Sequence, residues 1–150
     1  MNVFLGLGSN LGNREKNLQD ALAELHKLAD GKLKISSFYD TAPVGYREQN
    51  RFLNAALGFN TKLSPKKLLT ALQIIEKKLG REPTFKWGPR IIDIDILAYG
   101  DKIIDTETMH IPHLELPNRK FVLEPLCEIA PNTIDARSKK TYRQLLELLK

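Results

Sequence analysis

Residues 92–96, within the predicted strand at 91–99, alternate isoleucine with aspartate, and this alternation constrains the fold more than any other feature of the chain. Two acidic positions lie between three apolar ones, in the order Ile92, Asp93, Ile94, Asp95 and Ile96. Because successive side chains of a β-strand point to opposite faces, one face of this strand is apolar and the other is acidic. The segment therefore predicts a sheet that buries one face against a core and carries a polar site on the other.

The other periodic segments add the remaining elements of a small two-layer fold. The predicted elements are, in order, a strand at 2–7, a helix between Asn13 and Gly31, strands at 33–39 and 52–59, a helix between Ser64 and Gly80, and the strand at 91–99. Asparagine and serine are common helix N-caps, and glycine commonly ends a helix. Gly6, Gly8 and Gly12 are interpreted as a turn after the first strand.

The βαββαβ order predicts an α+β fold with a ferredoxin-like core. In that arrangement the sheet is antiparallel, both helices cover one face, and the second face is free to carry a site. Residues 100–150 form a C-terminal extension with short helices near 118–126 and 142–149. The whole chain, residues 1–150, is predicted to be a single domain.

Composition narrows the class of protein. Of 150 residues, 42% are apolar and 27% are charged, which is ordinary for one globular domain. No apolar run approaches the roughly 20 residues that span a membrane, and the first residues lack a targeting pattern, so a cytoplasmic location without membrane partners is expected. Cys127 is the only cysteine, which excludes an intrachain disulfide. The net charge of +5 favours anionic ligands.

Asp93 and Asp95 are the strongest candidates for a chemical site. On one strand face their α-carbons lie about 6.6 Å apart, so both carboxylates can reach one cation. Such hard oxygen ligands suit magnesium. Arg81 and Arg90 begin and end the preceding polar loop, and this mixture of charges fits phosphate oxygens bridged by metal and guanidinium. The alternative is a solvated strand face paired with neighbouring lysines.

Several single residues support a nucleotide or heterocycle site, although each also has a structural interpretation. Phe52 and Asn54 alternate on the third strand and could present a ring and an amide to one side of the sheet. Trp87 could stack on a ring or pack the loop, and His113 and Arg119 are further donors. The glycine spacing does not fit a dinucleotide or P-loop motif, so side chains and metal must hold any phosphate.

With these residues in view, the sequence resembles the 6-hydroxymethyl-7,8-dihydropterin pyrophosphokinase family of folate biosynthesis over nearly its whole length. The motifs that carry the resemblance are Gly6-Leu7-Gly8-Ser9-Asn10, Phe52-Leu53-Asn54-Ala55-Ala56, Trp87-Gly88-Pro89-Arg90-Ile91-Ile92-Asp93-Ile94-Asp95-Ile96-Leu97, Ile111-Pro112-His113, Asn118-Arg119-Lys120-Phe121-Val122-Leu123 and Pro125-Leu126. Members of this family usually carry arginine in the loop where this chain has residues 83–86.

The resemblance implies a magnesium-dependent monomer that transfers pyrophosphate from ATP to the hydroxymethyl group of 6-hydroxymethyl-7,8-dihydropterin and releases AMP. Two Mg2+ ions would be held by Asp93 and Asp95. The implied catalytic residues are Arg81, Arg90, Asp93 and Asp95. The implied ATP-binding residues are Gln73, Glu76, Arg81, Trp87, Arg90, Ile96, His113 and Arg119. The implied pterin-binding residues are Thr41, Ala42, Val44, Phe52, Asn54, Trp87, Asp93 and Phe121.

By the same resemblance, the pterin ring would stack between Phe52 and Phe121, and the loops at 43–51 and 80–89 would close over the substrates. Neither nucleic acid nor an obligate protein partner is expected. The main alternative is an RNA-binding module, which shares the βαββαβ order and presents aromatic residues on an open sheet. Residues 51–57 do not match its RNP1 motif, and two aspartates would repel a phosphate backbone. A nucleotide sensor without turnover is a second alternative.

Overall fold

The computed structural model describes residues 1–42, 50–82 and 89–150 of the chain. Within these ranges the main elements are β1 (Asn2–Ser9), α1 (Arg14–His26), β2 (Lys34–Ile35), β3 (Tyr39–Thr41), β4 (Phe52–Asn60), α2 (Pro65–Lys78), β5 (Asp93–Tyr99), β6 (Ile104–Asp105), β7 (His110–Ile111), α3 (Lys120–Ile129) and α4 (Tyr142–Glu147). A short 3-10 helix, Leu116–Asn118, precedes α3.

The main sheet has the order β2-β4-β1-β5, and β3 also pairs with β4. Every pairing in it is antiparallel. Taken as one interrupted strand, β2 and β3 give the four-strand order of the predicted ferredoxin-like core, which is confirmed. The prediction of a turn at Gly6 and Gly8 is wrong, because both glycines lie inside β1.

The first face of the sheet is covered by α1 and α2, as the sequence predicts. Their N-caps are those expected: Asn13 accepts a hydrogen bond from the Lys16 amide and Ser64 accepts one from the Lys67 amide. The alternating apolar residues of β1, β4 and β5 meet the buried stripes of these helices. This first core includes Val3, Leu5, Leu7, Leu18, Leu25, Leu57, Leu68, Leu72, Ile92, Ile94 and Ile96. Burial of this surface is the main force that holds the helices on the sheet.

The second face is not entirely free, which corrects the expectation from the βαββαβ order. The C-terminal extension places α3 and α4 over part of it, where they form a second core. Leu123 and Leu126 of α3 are fully buried there, and Phe4 of β1 meets Tyr142 edge to face with ring centroids 5.9 Å apart. Phe4 is therefore not available for stacking on a base, whereas the RNA-binding alternative requires aromatic residues on an open sheet face.

Among the described residues, no helix is both long enough and apolar enough to cross a bilayer.

The substitution Leu123→Ala tests how strongly the second core holds α3 on the sheet. Leu123 is 0% exposed, so its truncation leaves a cavity and is expected to cost about 2–5 kcal/mol of unfolding free energy. Lys120→Ala, on the exposed face of the same helix, should change it by less than about 0.5 kcal/mol. Urea denaturation of both variants measures the difference. An equal effect from the two substitutions would contradict the assignment of this core.

Candidate functional site

An open cavity lies on the part of the second face that α3 leaves uncovered. Its volume is about 830 Å³, including the mouth that opens to solvent. Residues from β1, β3, β4, β5 and the start of α3 form its walls, together with residues of the segments that connect these elements. The lining residues are Gly6, Leu7, Gly8, Thr41, Ala42, Phe52, Asn54, Ala55, Ala56, Arg90, Asp93, Asp95, Leu97, His113, Arg119, Phe121 and Val122.

The acidic wall is formed by Asp93 and Asp95 of β5. Both line the cavity, whereas Ile94 between them is buried in the first core, as the alternation predicts. Burial raises the pKa of the Asp95 carboxyl, and the negative charges of Asp93 and Glu76 raise it further. In the absence of a bound cation, the site therefore favours the neutral form of the Asp95 carboxyl.

Asp93 is held by Arg81, which also bonds Glu76 of α2 on the side away from the cavity. The Glu76 carboxylate accepts hydrogen bonds from the Ile94 amide, at 2.8 Å, and from the Arg81 guanidinium. The same guanidinium nitrogen of Arg81 donates to Asp93 at 3.0 Å. Burial raises the pKa of Glu76, which the hydrogen bond from the Ile94 amide and the charge of Arg81 oppose. Arg81 thus links α2 to the acidic strand and is not among the residues that line the cavity.

The basic wall brings together Arg90, His113 and Arg119. The Arg90 amide donates to the Asn10 side chain at 2.8 Å, and its Nε is buried without a hydrogen-bond partner in the described part of the chain. Burial, followed by the charge of Arg119, lowers the pKa of His113. Because its Nδ1 accepts from the Glu115 amide at 3.1 Å, the neutral ring carries its proton on Nε2. This wall therefore offers donors suited to an anion.

The third wall combines two aromatic rings with an amide. Phe52 and Asn54 project from β4, and Phe121 lies at the start of α3. The Asn54 amide nitrogen donates to the hydroxyl of Thr41 on β3. A Cβ at Gly8 would lie 3.2 Å from the Asn54 side-chain oxygen, so glycine leaves that oxygen room. Such a wall suits a flat ring with polar edges.

Most of the described residues predicted for the site meet in this cavity. They are Thr41, Ala42, Phe52, Asn54, Arg90, Asp93, Asp95, His113, Arg119 and Phe121.

Four predicted residues lie elsewhere. Gln73 is exposed on α2, Glu76 and Arg81 lie behind Asp93, and the Ile96 side chain is buried in the first core. Val44 and Trp87, with most of the two loops at 43–51 and 80–89, lie outside the described residues.

Sequence reasoning did not assign seven of the lining residues to the site, namely Gly6, Leu7, Gly8, Ala55, Ala56, Leu97 and Val122. Gly8 carried a usable signal, since a glycine inside a strand often marks a close approach of backbone or ligand. The interpretation of Gly8 as a turn residue overlooks this signal. Leu97 also carried a signal, because it continues the alternation of Asp93 and Asp95 along β5 and therefore lies on the cavity face.

Asn10, to which the sequence analysis gives no role, is 1% exposed and connects Asn50 with Arg90. Its side-chain nitrogen donates to the Asn50 carbonyl at 3.2 Å, and its side-chain oxygen accepts from the Arg90 amide.

The donor set of the acidic wall fits a hard divalent cation in part. Within the described ranges, no cluster of three or more His, Cys, Asp or Glu side chains could hold a metal ion. Asp93 and Asp95 supply two carboxylates, and magnesium sites commonly combine one or two carboxylates with water and substrate phosphates. The pair therefore fits a magnesium ion whose remaining ligands would be water and the oxygens of a bound phosphate chain.

Comparison with known proteins gives a consistent result. The model of the family described as 7,8-dihydro-6-hydroxymethylpterin-pyrophosphokinase (HPPK) matches residues 4–131. A 2-amino-4-hydroxy-6-hydroxymethyldihydropteridine pyrophosphokinase from Aquifex aeolicus (strain VF5) is 42% identical over 142 residues, covering 95% of this chain and 88% of that one. The Bacillus subtilis (strain 168) protein of the same name is 46% identical over 128 residues, covering 85% and 77%.

Solved structures agree on the fold. A Plasmodium falciparum HPPK-DHPS triple mutant with SDX-DHP matches with a TM-score of 0.78 and 19% sequence identity. The match covers 99% of this chain and 44% of that one, so the chain spans less than half the length of that protein. At this identity the likeness shows the fold alone. The family match includes every residue that lines the cavity, and the chain belongs to the 7,8-dihydro-6-hydroxymethylpterin-pyrophosphokinase family.

Proposed function

We propose that the chain transfers the pyrophosphoryl group of ATP to the hydroxymethyl oxygen of 6-hydroxymethyl-7,8-dihydropterin and releases AMP. The observation that carries this proposal is the meeting of three kinds of wall in one cavity: a carboxylate pair, a group of anion donors, and an amide between two aromatic rings. Family membership supports the same reaction. When one cavity holds both substrates in a reactive orientation, the activation free energy can fall by roughly 7–11 kcal/mol relative to a bimolecular encounter in solution.

The aromatic wall is the proposed pterin site. Phe52 and Phe121 offer ring faces for stacking, which adds about 0.5–1.5 kcal/mol beyond the burial of apolar area. The hydroxyl of Thr41 accepts one N–H of the Asn54 amide, which fixes the orientation of that amide. The Asn54 oxygen is then presented as an acceptor for the N–H groups at the polar edge of the pterin.

The acidic and basic walls are the proposed triphosphate site. Arg90 and Arg119 provide guanidinium groups for phosphate oxygens, and His113 adds a neutral N–H donor. We further propose that Asp93 and Asp95 hold two magnesium ions. Bound magnesium would neutralise the phosphate charge as the pyrophosphoryl group is transferred. Arg81 and Glu76 hold Asp93 at the start of β5, and a bound cation would offset the cost of ionising the buried Asp95 carboxyl.

We also propose that the chain acts as a cytoplasmic monomer, with ATP and the pterin as its partners. The described residues of a single chain already bring the three walls of the cavity together, which supports this proposal.

The substitutions Asp93→Asn and Asp95→Asn test the acidic wall. Each keeps the side-chain shape but removes a charge, so AMP formation should fall by at least about 100-fold, as for the loss of a key electrostatic group. The measurement is release of AMP from ATP with the pterin, across a series of magnesium concentrations. Asp101→Asn, at an exposed position after β5, is the control and should keep full activity. Undiminished AMP formation in either of the first two variants would exclude the proposed role.

Asp95→Asn should also change the pH dependence of stability in the ligand-free protein. The raised pKa of Asp95 contributes stability that is present below the unfolded pKa and is lost as pH rises through the folded value. At pH 8 the variant avoids the buried charge and should melt a few °C higher, the shift expected from roughly 1 kcal/mol. At pH 3 the gain should vanish. A lower melting temperature at pH 8 would show that the Asp95 charge is already compensated.

Phe121→Ala tests the aromatic wall. The loss of one stacking face should raise the KM for the pterin by about tenfold, while the KM for ATP changes by less than about twofold. Steady-state AMP formation with each substrate varied in turn gives both constants. If both constants rise together, Phe121 acts on the whole cavity and not on the pterin.

A further inference from the structure

The edge of the sheet beside the proposed pterin site contains one extra residue. Ile35 of β2 pairs with Leu57, and Tyr39 of β3 pairs with Asn54. Three edge residues, 36–38, therefore lie opposite two residues of β4, which is the arrangement of a β-bulge. The pairing of β2, continued without the extra residue, would put residue 38 opposite Asn54.

This extra residue decides which side chains of β3 face the cavity. A shift of one residue moves every side chain of a strand to the other face of the sheet. Residues that pair directly share a face, so Tyr39 lies on the face of Asn54, and Thr41 lies on the face of Phe52. Without the shift, the Thr41 hydroxyl would lie on the opposite face, away from the Asn54 amide.

The bulge is closed on its inner side by Ser36, which is 6% exposed. Its amide donates to the Ala56 carbonyl at 2.9 Å, and its hydroxyl accepts from the Ala56 amide at 2.9 Å. The hydroxyl also donates to the Ser37 carbonyl at 2.8 Å. The backbone groups of Ala56 at the interruption are thus satisfied locally, and this part of the bulge does not depend on α3.

Its outer side is held by Glu128, near the end of α3. One carboxylate oxygen accepts from the Ser37 amide at 2.8 Å and from the Ser37 hydroxyl at 3.1 Å. The other accepts from the Tyr39 hydroxyl at 2.6 Å. The hydrogen bond to Glu128 raises the pKa of Tyr39 to about 12, so this hydroxyl stays a donor across the neutral range. A single carboxylate therefore holds the bulge and the first residue of β3.

We propose that Glu128 is a positioning residue for the proposed pterin site, because it fixes the strand register that places the Thr41 hydroxyl against the Asn54 amide. The proposal rests on the proposed function for the identity of the ligand. The same helix presents Phe121 and Val122 to the cavity at its other end. Helix α3 thus contributes Phe121 to the aromatic wall directly and, through Glu128, holds the strand whose Thr41 orients Asn54 in the same wall.

The chain offers a selective variant and a matched control. Glu128→Gln preserves the shape, but an amide has one acceptor oxygen and cannot accept from both Ser37 and Tyr39. Glu128 is exposed, so the substitution leaves the buried face of α3 unchanged. Glu124→Gln, one turn earlier, removes the same charge from a side chain that pairs with Lys120 at 3.9 Å and does not contact the bulge among the described contacts.

The test compares the wild type with Glu128→Gln, Tyr39→Phe, the double variant and Glu124→Gln. Steady-state AMP formation gives the KM for each substrate. Glu128→Gln should raise the KM for the pterin by about tenfold, the loss expected for hydrogen bonds to a charged group, with the KM for ATP within about twofold. Tyr39→Phe should have a smaller effect, and the double variant should be less affected than the sum of the two. Glu124→Gln should match the wild type.

A second measurement does not depend on turnover. The Asn54 side-chain amide signals in a ¹H–¹⁵N NMR spectrum of the ligand-free protein should shift in Glu128→Gln and stay unchanged in Glu124→Gln. Equal increases in both KM values, or an unchanged pterin KM with unchanged Asn54 signals, would overturn the role of Glu128. A wild type that forms no AMP would overturn the proposed function instead, and the Asn54 signals would still decide the role of Glu128.

Discussion

The pairing of β1 with both of its neighbours sets the dimensions of the site. Gly8 pairs with Asn54 of β4 on one side and with Asp93 of β5 on the other. Because neighbouring strands lie about 4.8 Å apart, the amide and the carboxylate are held roughly 10 Å from one another across a single residue. This spacing is fixed by main-chain hydrogen bonds, so the proposed pterin and phosphate sites keep their separation whatever the surface loops do.

The two faces of the sheet divide stability and chemistry between them. The core under α1 and α2 is formed by apolar side chains, and its burial stabilises the fold without involving any ionisable group that lines the cavity. On the opposite face, ionising Asp95 is unfavourable, because burial and the negative charge of Asp93 raise the pKa of its carboxyl. Such a cost is typical of functional sites, where a ligand supplies the missing charge.

The sequence predicted much of this architecture for identifiable reasons. The isoleucine and aspartate alternation on β5 predicted correctly which residues enter the core, and the serine and asparagine caps predicted where α1 and α2 begin. Local patterns could not predict how the C-terminal extension folds back, because that depends on contacts between distant segments. Local patterns also could not predict the division of the edge strand into β2 and β3. One contact at this division joins Ser37 to Glu128, about ninety positions further along the chain.

Helix α3 contributes both to the stability of the fold and to the geometry of the cavity. Its buried residues, Leu123 and Leu126, lie between the end that carries Phe121 and the end that carries Glu128. A small change in the packing of these leucines would tilt the helix and move both ends at once. Selection acting on thermal tolerance would therefore also alter substrate discrimination, and variants of the family adapted to different temperatures are expected to change this helix together with the β2–β3 edge.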